Sequence, residues 1–199
     1  MVLQERLSEE GYKLTLASAS PRRRDLMADC GFNFELLRYS VDEEYPLSLE
    51  PSQVPLYLSA LKSEGAPRPL FDGEILITAD TVVICNDLIL GKPESLDDAR
   101  AMLTLLSART HTVVTGVTLR SSDKMKSFTA ESKVTFRKLK AEEIDYYVDN
   151  FRPLDKAGSY GIQEWIGFIG IERIEGSFHN VMGLPLQKLY IELEQFMSK

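Results

Sequence analysis

Apolar positions recur along this chain at two spacings, and together they predict an alternation of strands and helices. The stretch Leu14-Thr-Leu-Ala17 is apolar and β-prone, as a buried strand would be. Pro21 follows, a residue favoured at the first helical position because its missing N–H and fixed φ cost nothing there. Leu26, Met27 and Cys30 then form a helical apolar face, and Gly31 supplies the stop. Residues 32–38 predict a second strand and 40–46 an acidic loop. Ser52 is placed to cap a helix ending near Gly65, with Pro55 tolerated in its first turn. Residues 74–85 form a continuous apolar run, the mark of a strand buried on both faces in the middle of an α/β sheet. Asn86-Asp87 turns it back into 88–90.

In the second half, Ser95-Leu-Asp-Asp98 is close to a capping box. It precedes a helix whose core stripe is Ala99, Met102, Leu103 and Leu106. Residues 110–119 and 127–139 predict two long strands around the polar turn 121–124. In the second of these, Phe128, Ala130, Ser132, Val134 and Phe136 alternate with polar neighbours, so one face is wet. A helix is expected over 141–151, stopped before Pro153, then a glycine-rich polar loop over 153–163. Residues 165–174 read as a last strand and 176–185 as a turn. A closing helix carries Leu186, Leu189, Tyr190, Leu193 and Phe196 on one side.

Composition narrows the class. At 199 residues, 44% hydrophobic and 27% charged, the chain fits a single domain, or two closely packed lobes, with residues 1–12 as an N-terminal extension. The start is too polar and acidic for a signal peptide, and no apolar run approaches a membrane span, so a cytoplasmic protein without membrane partners is expected. Cys30 and Cys85 sit in apolar contexts and read as reduced core residues. The net charge of −7 argues against nucleic acid as a partner, because that affinity comes from neutralising many phosphates.

The candidate chemistry begins at the strand–turn–helix of residues 14–30. Backbone N–H groups and the helix dipole favour an anion at a helix start. Arg22, Arg23 and Arg24 in that first turn oppose the dipole unless a negative ligand is present. Together with the hydroxyls of Ser18 and Ser20, they point to a phosphate site, against the alternative of a solvated basic face. Neither a Walker A loop nor a G-x-G-x-x-G turn occurs. The acids Asp42, Glu43 and Glu44 are either solvated or could hold a divalent metal, since Mg²⁺ is commonly bound by one or two carboxylates plus substrate phosphates. Asp80, inside an apolar strand, reads equally as a turn-capping residue or as a paired, metal-bound or cleft carboxylate. Lys62 reads as a surface lysine, and Lys92 as a turn lysine or a positioned cation. The loop 153–163 is a connector or a binding loop, in which Lys156 could meet phosphate and Gln163 a base edge. His111 and His179 read as structural.

Taken together, these stretches resemble the Maf family of nucleoside triphosphate pyrophosphatases. The resemblance rests on Leu-Ala-Ser-Ala-Ser-Pro-Arg-Arg at 16–23, Val-Asp-Glu at 41–43, Ala-Asp-Thr-Val-Val at 79–83 and Gly-Lys-Pro at 91–93. Asp-Lys-Ala-Gly-Ser-Tyr-Gly-Ile-Gln at 155–163 and Gly-Ser-Phe-His-Asn-Val-Met-Gly-Leu-Pro-Leu at 176–186 complete it. It implies an α/β, ITPase-like fold: a long twisted mixed sheet with flanking helices, in two lobes around a cleft. It also implies metal-dependent hydrolysis, with Mg²⁺ or Mn²⁺, of a nucleoside triphosphate to the monophosphate and pyrophosphate. By the same resemblance Asp80 is the proton acceptor, and Glu43 and Asp80 are the metal ligands. Ser18, Arg23, Lys62, Lys92 and Lys156 hold phosphate, while Arg22, Thr81 and Gln163 occupy the specificity positions. Pro-Arg-Arg, Asp-Thr and Gly-Ile-Gln match the branch acting on dTTP and UTP, with modified pyrimidine nucleotides also in view. The resemblance is compatible with a homodimer. Ser63 departs from the alanine that usually follows the helix lysine. The alternative function is a nucleotide-binding regulator of cell division and septum formation that needs no turnover.

Overall fold

The computed structural model describes residues 1–198. It contains α1 (Leu3–Glu9), β1 (Lys13–Ala17), α2 (Pro21–Asp29), β2 (Phe34–Leu36), α3 (Val54–Glu64), β3 (Glu74–Cys85) and β4 (Leu88–Leu90). Then come α4 (Leu96–Leu106), β5 (Thr110–Arg120), β6 (Met125–Phe136), α5 (Ala141–Phe151), α6 (Trp165–Gly170), β7 (Ile171–Glu175), α7 (Phe178–Met182) and α8 (Leu186–Met197). The strands form one mixed seven-stranded sheet in the order β2-β1-β3-β5-β6-β7, with β4 paired to β3. β1 is parallel to both β2 and β3, whereas β4 and β7 run antiparallel to their neighbours β3 and β6.

Two compact units share these strands. Among the described residues, the first comprises 1–80, 115–130 and 183–198, and the second 81–114 and 131–182. In the first, Leu14 and Leu16 of β1 and Ile75, Leu76 and Ile77 of β3 are buried on both faces, as the unbroken apolar run requires. α1 lies in the segment expected to be a mere extension. It buries Leu3 and Leu7, and the Leu3 amide donates to the Tyr190 hydroxyl on α8 at 2.9 Å. α2 begins at Pro21 as expected and ends in a Schellman motif. The amides of Gly31 (φ +76°) and Phe32 there donate to the carbonyls of Ala28 and Met27.

The second unit is built on an apolar cluster that includes Leu103 and Leu106 of α4, Val134 and Phe136 of β6, Tyr147 and Val148 of α5 and Ile166 of α6. Ser95 caps α4 by accepting the Asp98 amide at 3.1 Å, while the Asp98 carboxylate accepts from Glu94, one residue outside an ideal capping box.

Four expectations are corrected. Ser52 does not cap α3; it lies inside a 3-10 turn, Pro51–Gln53, and Gln53 is the N-cap, because Pro55 already fits the first turn from there. The apolar run 165–174 is not one strand but α6 followed by β7. A run this short gives no usable periodicity, and the two glycines decide the outcome: a Cβ at Gly167 would lie 2.1 Å from the Ile162 carbonyl oxygen, so the chain must coil closely on itself here. The turn at 176–185 also holds the short helix α7. Of the two cysteines read as core residues, Cys85 is buried in the core, whereas Cys30, at the end of α2, is only half-buried.

Candidate active site

In the first unit the apolar register of β3 carries Asp80 to the end of that unit, and hydrogen bonds fix α3 against the strand. The Thr78 hydroxyl donates to the Ser59 carbonyl at 2.6 Å, and the Ser59 and Thr118 hydroxyls bond each other at 2.9 Å. Gly116 of β5 makes this approach feasible, since a Cβ there would stand 2.2 Å from the Pro55 carbonyl oxygen. α3 therefore delivers Lys62, in its last turn, to the strand. The Lys62 ammonium lies 2.6 Å from Asp80 Oδ1 and 3.1 Å from Glu43 Oε1, so one cation bridges two carboxylates. The Asp80 side chain is only 12% exposed, against 53% for Glu43. The residue read alone as a surface lysine is thus the centre of an ion cluster, a fact that helical spacing could not reveal.

Arg23 joins the same cluster from α2. Its Nε donates to the Gly183 carbonyl at 2.7 Å and its Nη1 to the Ala79 carbonyl at 2.8 Å. Two fixed acceptors hold the guanidinium in one orientation, beside the strand position preceding Asp80. Burial lowers the Arg23 pKa from its ordinary value; the charge of Asp80 raises it, Arg22 lowers it further and Glu43 raises it again. Arg24, the third of the run, is exposed and pairs with Asp25 at 2.9 Å. Ahead of them, Ser20 is the N-cap of α2 and its amide donates to Ser18 Oγ at 3.2 Å. The first turn of α2 contains no acid. The basic helix start therefore sets Arg23 beside the cluster and Arg24 in solvent, with Arg22 half-buried.

Among the described residues, no group of three or more His, Cys, Asp or Glu could cage a metal. Glu43 and Asp80, which meet on one ammonium, make a two-carboxylate donor set. Such a set fits a hard divalent cation that completes its shell with phosphate oxygens and water, and does not fit a closed protein site.

In the second unit, Thr81 follows Asp80 on β3 and is half-buried. Lys92 is exposed in the turn after β4, and that turn is tied to the glycine-rich loop by the Gly158 amide donating to Gly91 at 3.1 Å. The loop carries both Lys156 and Gln163. Lys156 is buried, with its ammonium 2.7 Å from Asp155 and 3.0 Å from Glu164. Gln163 has a buried amide oxygen with no protein partner, a costly arrangement unless something else supplies the donor. His111 is buried against the Tyr160 hydroxyl at 2.7 Å, a structural histidine as expected. Sequence reasoning missed Glu164, which pairs with Lys156, and the role of Tyr147, whose hydroxyl donates to Glu164. The available signal was a charged residue opening an apolar run, obscured by reading that run as a strand.

These features define a mixed α/β protein in which a lysine and an anchored arginine gather around two carboxylates. The chain belongs to the Maf family: the family model described as "Maf-like protein" matches residues 13–196. It is 52% identical to the dTTP/UTP pyrophosphatase of Parabacteroides distasonis, over 93% of this chain and 96% of that protein. It is 51% identical to the dTTP/UTP pyrophosphatase of Porphyromonas gingivalis, over 93% of this chain and 94% of that protein. Among solved structures, the Staphylococcus aureus Ham1 protein aligns over 92% of this chain and 99% of its own, with a TM-score of 0.53 at 14% identity. That likeness carries the fold alone.

Proposed function

We propose that this protein hydrolyses dTTP and UTP between the α and β phosphates, releasing the nucleoside monophosphate and pyrophosphate. The observation that carries the reading is the Glu43–Lys62–Asp80 cluster flanked by the anchored Arg23. Phosphoryl chemistry needs fixed positive charge, in-line placement and an oriented water, and little else from a protein. Arg23 cannot swing away from its two carbonyl acceptors, so it presents its charge without reorganising. Lys62 holds the Asp80 carboxylate by one oxygen and in doing so aims it. Asp80 orients the attacking water and accepts its proton.

Carboxylates are weak bases, which is why a divalent cation suits this site. Glu43 and Asp80 would hold Mg²⁺ or Mn²⁺, which when bound neutralises phosphate charge and acidifies a coordinated water. Ser18, Lys92 and Lys156 serve as further phosphate contacts. Arg22, Thr81 and Gln163 select the base, the Gln163 amide pairing with the uracil or thymine edge. The relatives named dTTP/UTP pyrophosphatase support this substrate class.

The test is pyrophosphate release with Mg²⁺ by wild type and Asp80→Asn from dTTP, UTP, CTP, ATP, GTP and 7-methyl-GTP. Release from dTTP and UTP, falling at least 100-fold in Asp80→Asn, is the expected result. Nucleotide binding without turnover of any of the six would overturn the enzyme reading in favour of a nucleotide-binding regulator.

A further inference from the structure

The loop that carries Lys156 and Gln163 is braced by a buried polar relay. Glu164 is the N-cap residue of α6, yet its side chain makes no capping bond. Its Oε1 lies 3.0 Å from the Lys156 ammonium, and its Oε2 accepts from the Tyr147 hydroxyl. The Tyr147 oxygen in turn accepts the Gly161 amide at 3.1 Å. Tyr147 is fully buried on α5, so the relay is rooted in the apolar core. The loop backbone is fitted to the carboxylate: a Cβ at Gly161 would stand 2.7 Å from Glu164 Cδ and 2.9 Å from its Oε2. Burial, with Glu164 adding to it, raises the Tyr147 pKa above its ordinary value, so the hydroxyl stays a donor throughout the working range.

We infer that Glu164, seated by Tyr147, is a positioning residue that aims the Lys156 ammonium at substrate phosphate. The inference rests on the proposed function in assigning Lys156 to phosphate. An ammonium has three N–H donors. Asp155 and Glu164 take two of them, which fixes the direction of the third. Asp155 is the exposed partner of the pair, 57% against 22% for Glu164, so the rigid half of the holder is Glu164. Both oxygens of that carboxylate are in use. A glutamine has a single acceptor and would satisfy either Tyr147 or Lys156, turning an NH₂ towards the other.

Glu164→Gln removes the hold while keeping the shape, and Tyr147→Phe removes only the hydroxyl and leaves the ring in the core. Both are compared in the wild-type background and in Lys156→Met, reading kcat and KM for dTTP and the affinity for inorganic tripolyphosphate by calorimetry. In the wild-type background Glu164→Gln lowers kcat about tenfold, raises KM for dTTP a few-fold and weakens tripolyphosphate about fivefold. Tyr147→Phe acts in the same direction, about threefold. In Lys156→Met neither substitution has any further effect, because the group they act through is gone.

Equal losses in the two backgrounds would mark a brace for the fold and overturn the inference. Tighter tripolyphosphate binding by Glu164→Gln would also overturn it, by showing that the carboxylate merely subtracts charge. So would a wild type that binds no tripolyphosphate. If the wild type releases no pyrophosphate from any nucleotide, the proposed reaction fails, and the tripolyphosphate arm still decides whether Glu164 acts through Lys156.

Discussion

Glu74 opens β3, the strand that carries Asp80 and Thr81, and its carboxylate is held by four hydrogen bonds. It accepts from the Thr15 hydroxyl at 2.6 Å, from both terminal nitrogens of Arg68 at 2.8 Å and from the Phe71 amide at 3.0 Å. The Arg68 fork is the main reason its pKa falls from 4.5 to about 2, against a burial penalty that works the other way. Glu74→Gln keeps the volume and removes the charge. A drop from 4.5 to about 2 corresponds to about 3 kcal/mol of stability at neutral pH, and the solvated side of Arg68 reduces the expected loss to about 2 kcal/mol.

The folded value is depressed, so this stability is fully present above pH 4.5 and is lost as the pH falls towards 2. At pH 3 less than half remains. Urea unfolding at pH 7 and pH 3 measures it: Glu74→Gln should trail wild type by about 2 kcal/mol at pH 7 and by under about 1 kcal/mol at pH 3. Equal stability at pH 7 would refute the claim that the fork anchors β3. An undiminished gap at pH 3 would show that shape, not charge, was lost.

Three further outcomes are expected. Gly116→Ala drives a Cβ into the Pro55 carbonyl and should cost about 3 kcal/mol, or roughly 10 °C of Tm by calorimetry, even though alanine usually favours order. Burial holds the His111 pKa down at about 4, so folded protein binds that proton less readily than unfolded chain and stability falls as the pH drops from 6.5 towards 4. His111→Phe should flatten that part of the stability–pH curve, read by urea midpoints in half-unit steps. Lys62→Met leaves Glu43 and Asp80 to repel each other and any phosphate. It should lower kcat for dTTP about 100-fold in a steady-state assay.

The regular elements were legible wherever local chemistry decided them. Pro21 and Gly31 mark both ends of α2, the unbroken apolar run is β3, and the alternation from Phe128 to Phe136 is the half-wet β6. Residues 165–174 were not legible, because Gly167 and Gly170 owe their places to close approach, against Ile162 for one and Phe136 with Leu139 for the other, which no local spacing encodes. α1 was passed over because seven residues with two buried leucines give too little signal against a polar background. The site divides in the same way. The arginine run and the lone aspartate in an apolar strand could be seen as anomalies of charge. The meeting of Lys62 with Glu43 and Asp80, residues far apart in sequence, is a product of the fold. Glu164 was hidden for the same reason: its partners Lys156 and Tyr147 lie eight and seventeen residues back in the chain.

The most direct test of the account is to incubate the purified protein with dTTP and Mg²⁺ and follow the products by phosphorus NMR. Appearance of dTMP and pyrophosphate in equal amounts, abolished by Asp80→Asn, is the predicted result. Formation of dTDP and orthophosphate would place the cleavage at the terminal phosphate and contradict the proposed chemistry.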